Sequence, residues 1–209
     1  AGAGDDLIAG EGGNDLITTG EGDDVVVFNY GDGHDRLTVS PGTNTISFGA
    51  DITTDMLSVA LDFDGRLLLK IDGGQGGSIT LDSAGYDTTE GSVERVQFVD
   101  ATAHIRSFDF QAWVRANSAA LMASMPSSPV AFSGQGFELT GLVVPAGGLE
   151  AIAYAQSGDL FALAQLPNNV PTDADDVLYG TANSDVLDGQ GGNDVVMGLA
   201  GDDVIHGGL

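Results

Sequence analysis

The sequence predicts a mainly β chain: two arrays of a nine-residue repeat, separated by a strand-rich segment that holds one amphipathic helix. Three observations carry this prediction. Near both ends Asp recurs every ninth residue, at Asp6, Asp15 and Asp24 and again at Asp185, Asp194 and Asp203. Each is followed two residues later by an aliphatic side chain: Ile8, Ile17, Val26, Leu187, Val196 and Ile205. Between the arrays, short apolar stretches are bounded by Gly, Asp and Asn, and residues 107–125 place apolar side chains at helical spacing.

The first array reads AGAGDDLIA, GEGGNDLIT and TGEGDDVVV over residues 1–27. Its glycine-rich half suits a tight turn, and its Leu, Ile and Val half suits a very short strand with one side chain pointing inward. A fourth copy, YGDGHDRLT, follows a two-residue insertion and puts Asp35 and Leu37 in the repeat positions. LTV, NTISF, MLSVALD, RLLLKI, SITLD and VERVQFVD read as strands over residues 36–100, with Asp64-Gly65 as a hairpin signal. The glycines around Gln75 lack the Lys-Ser/Thr of a phosphate-binding loop and read as a turn.

Phe110, Trp113, Val114, Leu121 and Met125 approximate one face of a helix with Ser107 as N-cap, and Trp113 reads as a buried anchor. VAF, FELTGLVV, LEAIAYA and DLFALA read as further short strands, with Gln156 to Asp159 as a turn between the last two. A Pro/Asn/Asp connector, Leu166 to Asp176, leads into the second array. There a loose copy around Asp176 and Leu178 precedes GTANSDVLD, GQGGNDVVM and GLAGDDVIH. The expected organisation is therefore 1–35 first array, 36–125 capping segment ending in the helix, 126–171 connector and 172–209 second array, truncated. Both termini fall inside repeat text, so a longer parent protein is expected.

Charge narrows the partners. The chain holds 31 acidic against 6 basic residues, a formal net charge of −25, and no Lys or Arg falls within residues 1–35 or 173–209. Self-repulsion of that density opposes a compact fold unless counter-charge is supplied. Nucleic acid and anionic membranes need a basic footprint that these segments lack, whereas divalent cations suit them. Cysteine is absent, which excludes disulfides and thiolate metal sites, and no apolar run is long enough to span a membrane.

The nonapeptide resembles G-G-x-G-x-D-x-U-x, the repeat of the repeats-in-toxin (RTX) proteins. The resemblance implies two short parallel β-rolls, two nonapeptides to a coil, with Ca2+ held between a turn and the turn one coil later. It pairs Asp6 with Asp24, Asp15 with Asp35, Asp176 with Asp194 and Asp185 with Asp203 as side-chain ligands. It adds backbone carbonyls at Gly2, Gly4, Glu11, Gly13, Thr19, Glu21, Tyr30 and Asp32 in the first array. In the second it adds those of Thr172, Ala174, Thr181, Asn183, Gly189, Gly191, Gly198 and Ala200. Asp5, Asn14, Asp23, Asn193 and Asp202 read instead as braces of the turns. Calcium takes about six to eight oxygens, which one carboxylate per turn plus carbonyls can supply.

GDGHDRLTV, LLLKI and VERVQFVD, just before a helix, resemble the segment that closes RTX arrays, and an end coil needs such a cover for its apolar cross-section. His34, His104 and His206 show no metal spacing, and no nucleophile–base or HExxH pattern occurs. The expectation is a non-catalytic Ca2+-binding segment of a secreted, extracellular bacterial protein, exported by type I secretion machinery and folding on calcium outside the cell. The alternative is an adhesin-type binding module over residues 36–165 for carbohydrate or a host or partner protein. Open array ends would permit end-to-end self-association.

Overall fold

The computed structural model describes residues 4–74, 76–82, 92–99, 104–123, 129–139 and 170–208. The first array forms β1 (Leu7–Ala9), β2 (Leu16–Thr18), β3 (Val25–Phe28) and β4 (His34–Thr38), one strand per repeat. Glycine turns send successive strands to opposite sheets, so β1 pairs in parallel with β3 and β2 with β4. The two inserted residues before the fourth copy are absorbed locally. β3 runs to Phe28, and the Asn29 amide donates to Asp32 Oδ2 at 2.6 Å to close the turn.

The roll continues through β5 (Asn44–Phe48), parallel to β3. It then closes with β6 (Leu57–Leu61), β7 (Leu67–Ile71), β8 (Ser78–Leu81) and β9 (Val93–Val99). β6, β7 and β8 are antiparallel neighbours, while β8 lies parallel to β4 and β9 parallel to β5. At the Asp64-Gly65 turn, Asp62 Oδ1 accepts from the amides of Asp64 and Arg66. The loop between β7 and β8 is a turn, with Gly76 N donating to Gly73 O.

β10 (Ile105–Asp109) pairs antiparallel with β9 and leads directly into α1 (Phe110–Ala123). The helix therefore starts later than the apolar spacing suggested. Ser107 is held in the β10 ladder opposite Gln97, so it cannot cap; Asp109 does, its Oδ1 accepting from Ala112 N at 2.7 Å. β11 (Val130–Ala131) adds to β6 and β12 (Glu138–Leu139) to β10. Met125, LEAIAYA, DLFALA and the Gln156–Asp159 turn lie outside the described residues.

The second array forms β13 (Val177–Tyr179), β14 (Val186–Asp188), β15 (Val195–Met197) and β16 (Val204–His206). It is separated from the first along the chain but not in space. β15 lies parallel between β13 and β1, and β16 parallel between β14 and β2. Two eight-stranded sheets result, β12-β10-β9-β5-β3-β1-β15-β13 and β11-β6-β7-β8-β4-β2-β16-β14. The two arrays expected as short parallel rolls thus meet edge to edge. Strand edges of equal repeat geometry join, and among the described residues β13 and β14 are the array strands left at the sheet ends, β12 and β11 ending the sheets on the other side.

The inward aliphatics Ile8, Ile17, Val26, Leu37, Leu178, Val196 and Ile205 stack into one continuous core between the sheets. At the capped end an aromatic cluster takes over from them. Phe48 stacks on Phe98 at 5.1 Å, Phe98 meets Phe108 at 5.9 Å, and Phe132 meets Trp113 at 5.2 Å. Trp113 is buried there, as an anchor should be.

Candidate metal centre

Parallel stacking in repeat register places each repeat Asp directly beside the Asp of the next coil. Two ladders result, each built from one hydrogen bond per level. In the first, Asp176 N donates to Asp194 Oδ1 (2.9 Å), Asp194 N to Asp6 Oδ1 (2.8 Å) and Asp6 N to Asp24 Oδ1 (3.0 Å). In the second, Asp185 N donates to Asp203 Oδ1 (2.8 Å), Asp203 N to Asp15 Oδ1 (2.7 Å) and Asp15 N to Asp35 Oδ1 (3.0 Å). The structure thus brings together all four sequence-derived pairs, the one across the insertion included. It also makes two pairs, Asp194–Asp6 and Asp203–Asp15, whose partners are 188 residues apart and that no period could suggest.

One carboxylate oxygen per residue is satisfied in this way. The other is not: the buried Oδ2 atoms of Asp15, Asp24, Asp194 and Asp203 have no hydrogen-bond partner. Beside Asp24 the Thr19 hydroxyl donates to the Gly20 carbonyl at 3.3 Å and lies near enough to the Asp24 carboxylate to oppose part of the effect of burial. A buried acceptor without a donor costs about 1–3 kcal/mol, and more when charged. The four stand in equivalent places of the repeat, where a cation would be the complementary partner.

Two turns of the first array leave room only for glycine. Gly22 (φ +145) and Gly33 (φ +109) lie so close to the preceding coil that an added Cβ would overlap the carbonyls of Gly4 and Gly13. Those carbonyls line the turn side of the ladders. Several of the expected carbonyls already accept one amide, Glu21 from Gly4, Asp32 from Gly13, Thr172 from Gly191 and Thr181 from Ala200. A carbonyl oxygen keeps a second lone pair. Gly2 lies outside the described residues. Among the described residues no three His, Cys, Asp or Glu side chains form a metal cage. Two carboxylates per level plus carbonyls therefore have to suffice, which matches the oxygen chemistry of calcium.

Electrostatics tell the same story. Burial, opposed by the amide it accepts and reinforced by neighbouring aspartates, pushes Asp6 up to about 7 and Asp15 to about 6. Asp24 and Asp194 rise to about 6 and Asp35 to about 8, again mainly by burial, and Asp203 is raised for the same reason. No counter-charge comes from the arginines whose ion pairs lie among the described residues. Arg36, Arg66 and Arg106 pair with Asp62, Asp64, Asp82 and Glu138.

Three further side chains escaped sequence reasoning. At the outer end of the ladders Thr172 and Thr181 each turn an amide and a hydroxyl onto their own repeat's Asp. Asp176 Oδ2 and Asp185 Oδ2 accept these bonds at 2.6 and 2.8 Å. At the capped end Asn44 stands where an Asp would be, its Oδ1 accepting from Asp24 N and its Nδ2 donating to Ser40 O at 2.8 Å. At the outer end the threonine N–H and O–H groups supply the positive partner, and at the capped end the neutral amide of Asn44 replaces a carboxylate altogether. The repeat spacing alone hid this, although Thr four residues before Asp is legible once its role is known. The flanking residues form a separate, exposed ladder. Asn193 N donates to Asp175, Asp5 N to Asn193, Asp23 N to Asp5, and Asn14 N to Asp202, all onto Oδ1.

Residues 1–28 and 171–205 match the family model of the RTX calcium-binding nonapeptide repeat, in four copies. A comparison with curated proteins finds no match to the chain. Both arrays are thus RTX calcium-binding nonapeptide repeats.

Proposed function

We propose that this segment is a non-catalytic scaffold and export module of a secreted bacterial protein, unfolded where calcium is scarce and folded by calcium outside the cell. The observation that carries the reading is the set of buried, unpartnered Oδ2 atoms on Asp15, Asp24, Asp194 and Asp203. Bound calcium would supply the positive charge these carboxylates lack. Asp6, Asp15, Asp24, Asp35, Asp194 and Asp203 are its side-chain ligands, with carbonyls of the adjoining turns completing the shell. Asp176 and Asp185, already satisfied by threonine, contribute less. A cation that binds only the folded state adds about 2.7 kcal/mol per site at a hundredfold excess over Kd. That linkage makes compartment calcium the folding switch, which fits export in an unfolded state by a type I machine. Among the described residues no helix is long and apolar enough to cross a membrane.

End-to-end association, if it occurs, would use the β13–β14 edge, since β1 and β2 cover the other side of the array. The test is far-ultraviolet circular dichroism in chelator and then in millimolar calcium. At neutral pH strand signal should rise strongly with calcium; the same spectrum in both would refute the reading.

A further inference from the structure

The two levels at which the arrays meet belong to neither array alone. Asp194 donates its amide to Asp6, and Asp203 donates to Asp15, across 188 residues of sequence. The register is that of a single uninterrupted roll, with Leu7 opposite Val195 and Leu16 opposite Val204. Gly4 and Gly13 lie against the carbonyls of Gly192 and Gly201 as closely as glycines lie within one array. Three of the four unpartnered buried oxygens, on Asp194, Asp203 and Asp15, stand at this junction.

We propose that the Asp194–Asp6 and Asp203–Asp15 levels are calcium sites assembled from both arrays, so that calcium docks the C-terminal array onto the N-terminal one. The proposal rests on the calcium reading above but goes beyond it, because calcium bound only within each array would leave the arrays undocked. Each junction level has the same parts as a level inside an array: two facing carboxylates, a free Oδ2 and a close glycine turn. Without a cation it would bring four buried carboxylates together with no positive partner, so docking and binding are one event.

The test uses the full chain with calcium as the only ligand. Gly4→Ala together with Gly13→Ala places methyl groups against the Gly192 and Gly201 carbonyls and leaves every carboxylate in place. Equilibrium dialysis should find two fewer ions bound than in the unaltered chain. Since that variant could also fold poorly, a second measurement keeps the junction in view. With Leu16→Cys and Val204→Cys in an otherwise unaltered, cysteine-free chain, disulfide formation should rise about tenfold or more from chelator to saturating calcium. Equal cross-linking in both conditions, or an unchanged ion count in the glycine variant, overturns the proposal while the calcium reading stands. Absence of any calcium binding by the unaltered chain overturns both.

Discussion

Asp194 is the most informative residue to remove, because it serves two levels of one ladder. Its Oδ1 accepts from Asp176 N at 2.9 Å, its own amide donates to Asp6 Oδ1 at 2.8 Å, and its Oδ2 is buried without a partner. Asp194→Ala leaves the buried Asp176 amide unsatisfied, a loss of about 1–3 kcal/mol. It also removes a calcium carboxylate, and loss of one site at a hundredfold excess forfeits about 2.7 kcal/mol of linkage. A destabilisation of about 4–6 kcal/mol in saturating calcium follows. Asp188 is the control: it is exposed and its Oδ1 serves only the Gln190 amide, so Asp188→Ala should change stability by about 0.5 kcal/mol or less. Asp194→Asn separates the two contributions, retaining an Oδ1 acceptor but not the charge. Urea unfolding followed by circular dichroism in saturating calcium measures all three. Equal losses for Asp194→Ala and Asp188→Ala would refute the assignment of the ladder as the site.

Other outcomes follow from the same geometry. The raised carboxylates bind protons in the folded, calcium-free roll at pH values where the unfolded chain has released them. Their contribution is therefore fully present below about pH 4 and lost as pH rises through about 6 to 8. In chelator, strand signal should be stronger at pH 5 than at pH 8, and a signal that grows with pH would contradict the burial of these groups. Asp185→Asn, where Thr181 already fills Oδ2, should weaken calcium binding measured by calorimetry less than Asp203→Asn does; the reverse order would refute threonine as the substitute partner. Trp113→Ala should cost about 3–5 kcal/mol, because Trp113 is buried against Phe110 and Phe132, and urea melts should show a similar cost at low and high calcium.

The nine-residue period, with the RTX resemblance it carries, placed the local structure and half of the site. The period gave a glycine turn, an Asp and one inward aliphatic per repeat, and the resemblance implied alternating sides, so that Ile8 and Ile17 face one core and Asp6 meets Asp24 a coil later. Strands β5 to β9 were legible from apolar alternation for the same local reason. The helix start was not, because the β10 ladder extends past Ser107 and hands the cap to Asp109. Nor was the end of each ladder. Whether an Asp oxygen meets Thr172, Thr181 or nothing depends on turn conformation, which the repeat positions of these residues do not reveal.

Above all, only the tertiary structure decided that the arrays are one roll. Every repeat offers the same strand edge and the same carboxylate, so the sequence leaves Asp194 equally suited to Asp6 or to no neighbour beyond its array. The choice is made by the fold as a whole. β6 to β12 cover one end, leaving the β1–β2 edge as the place where β15 and β16 can satisfy their backbone, stack their aliphatics and set Asp194 and Asp203 against Asp6 and Asp15.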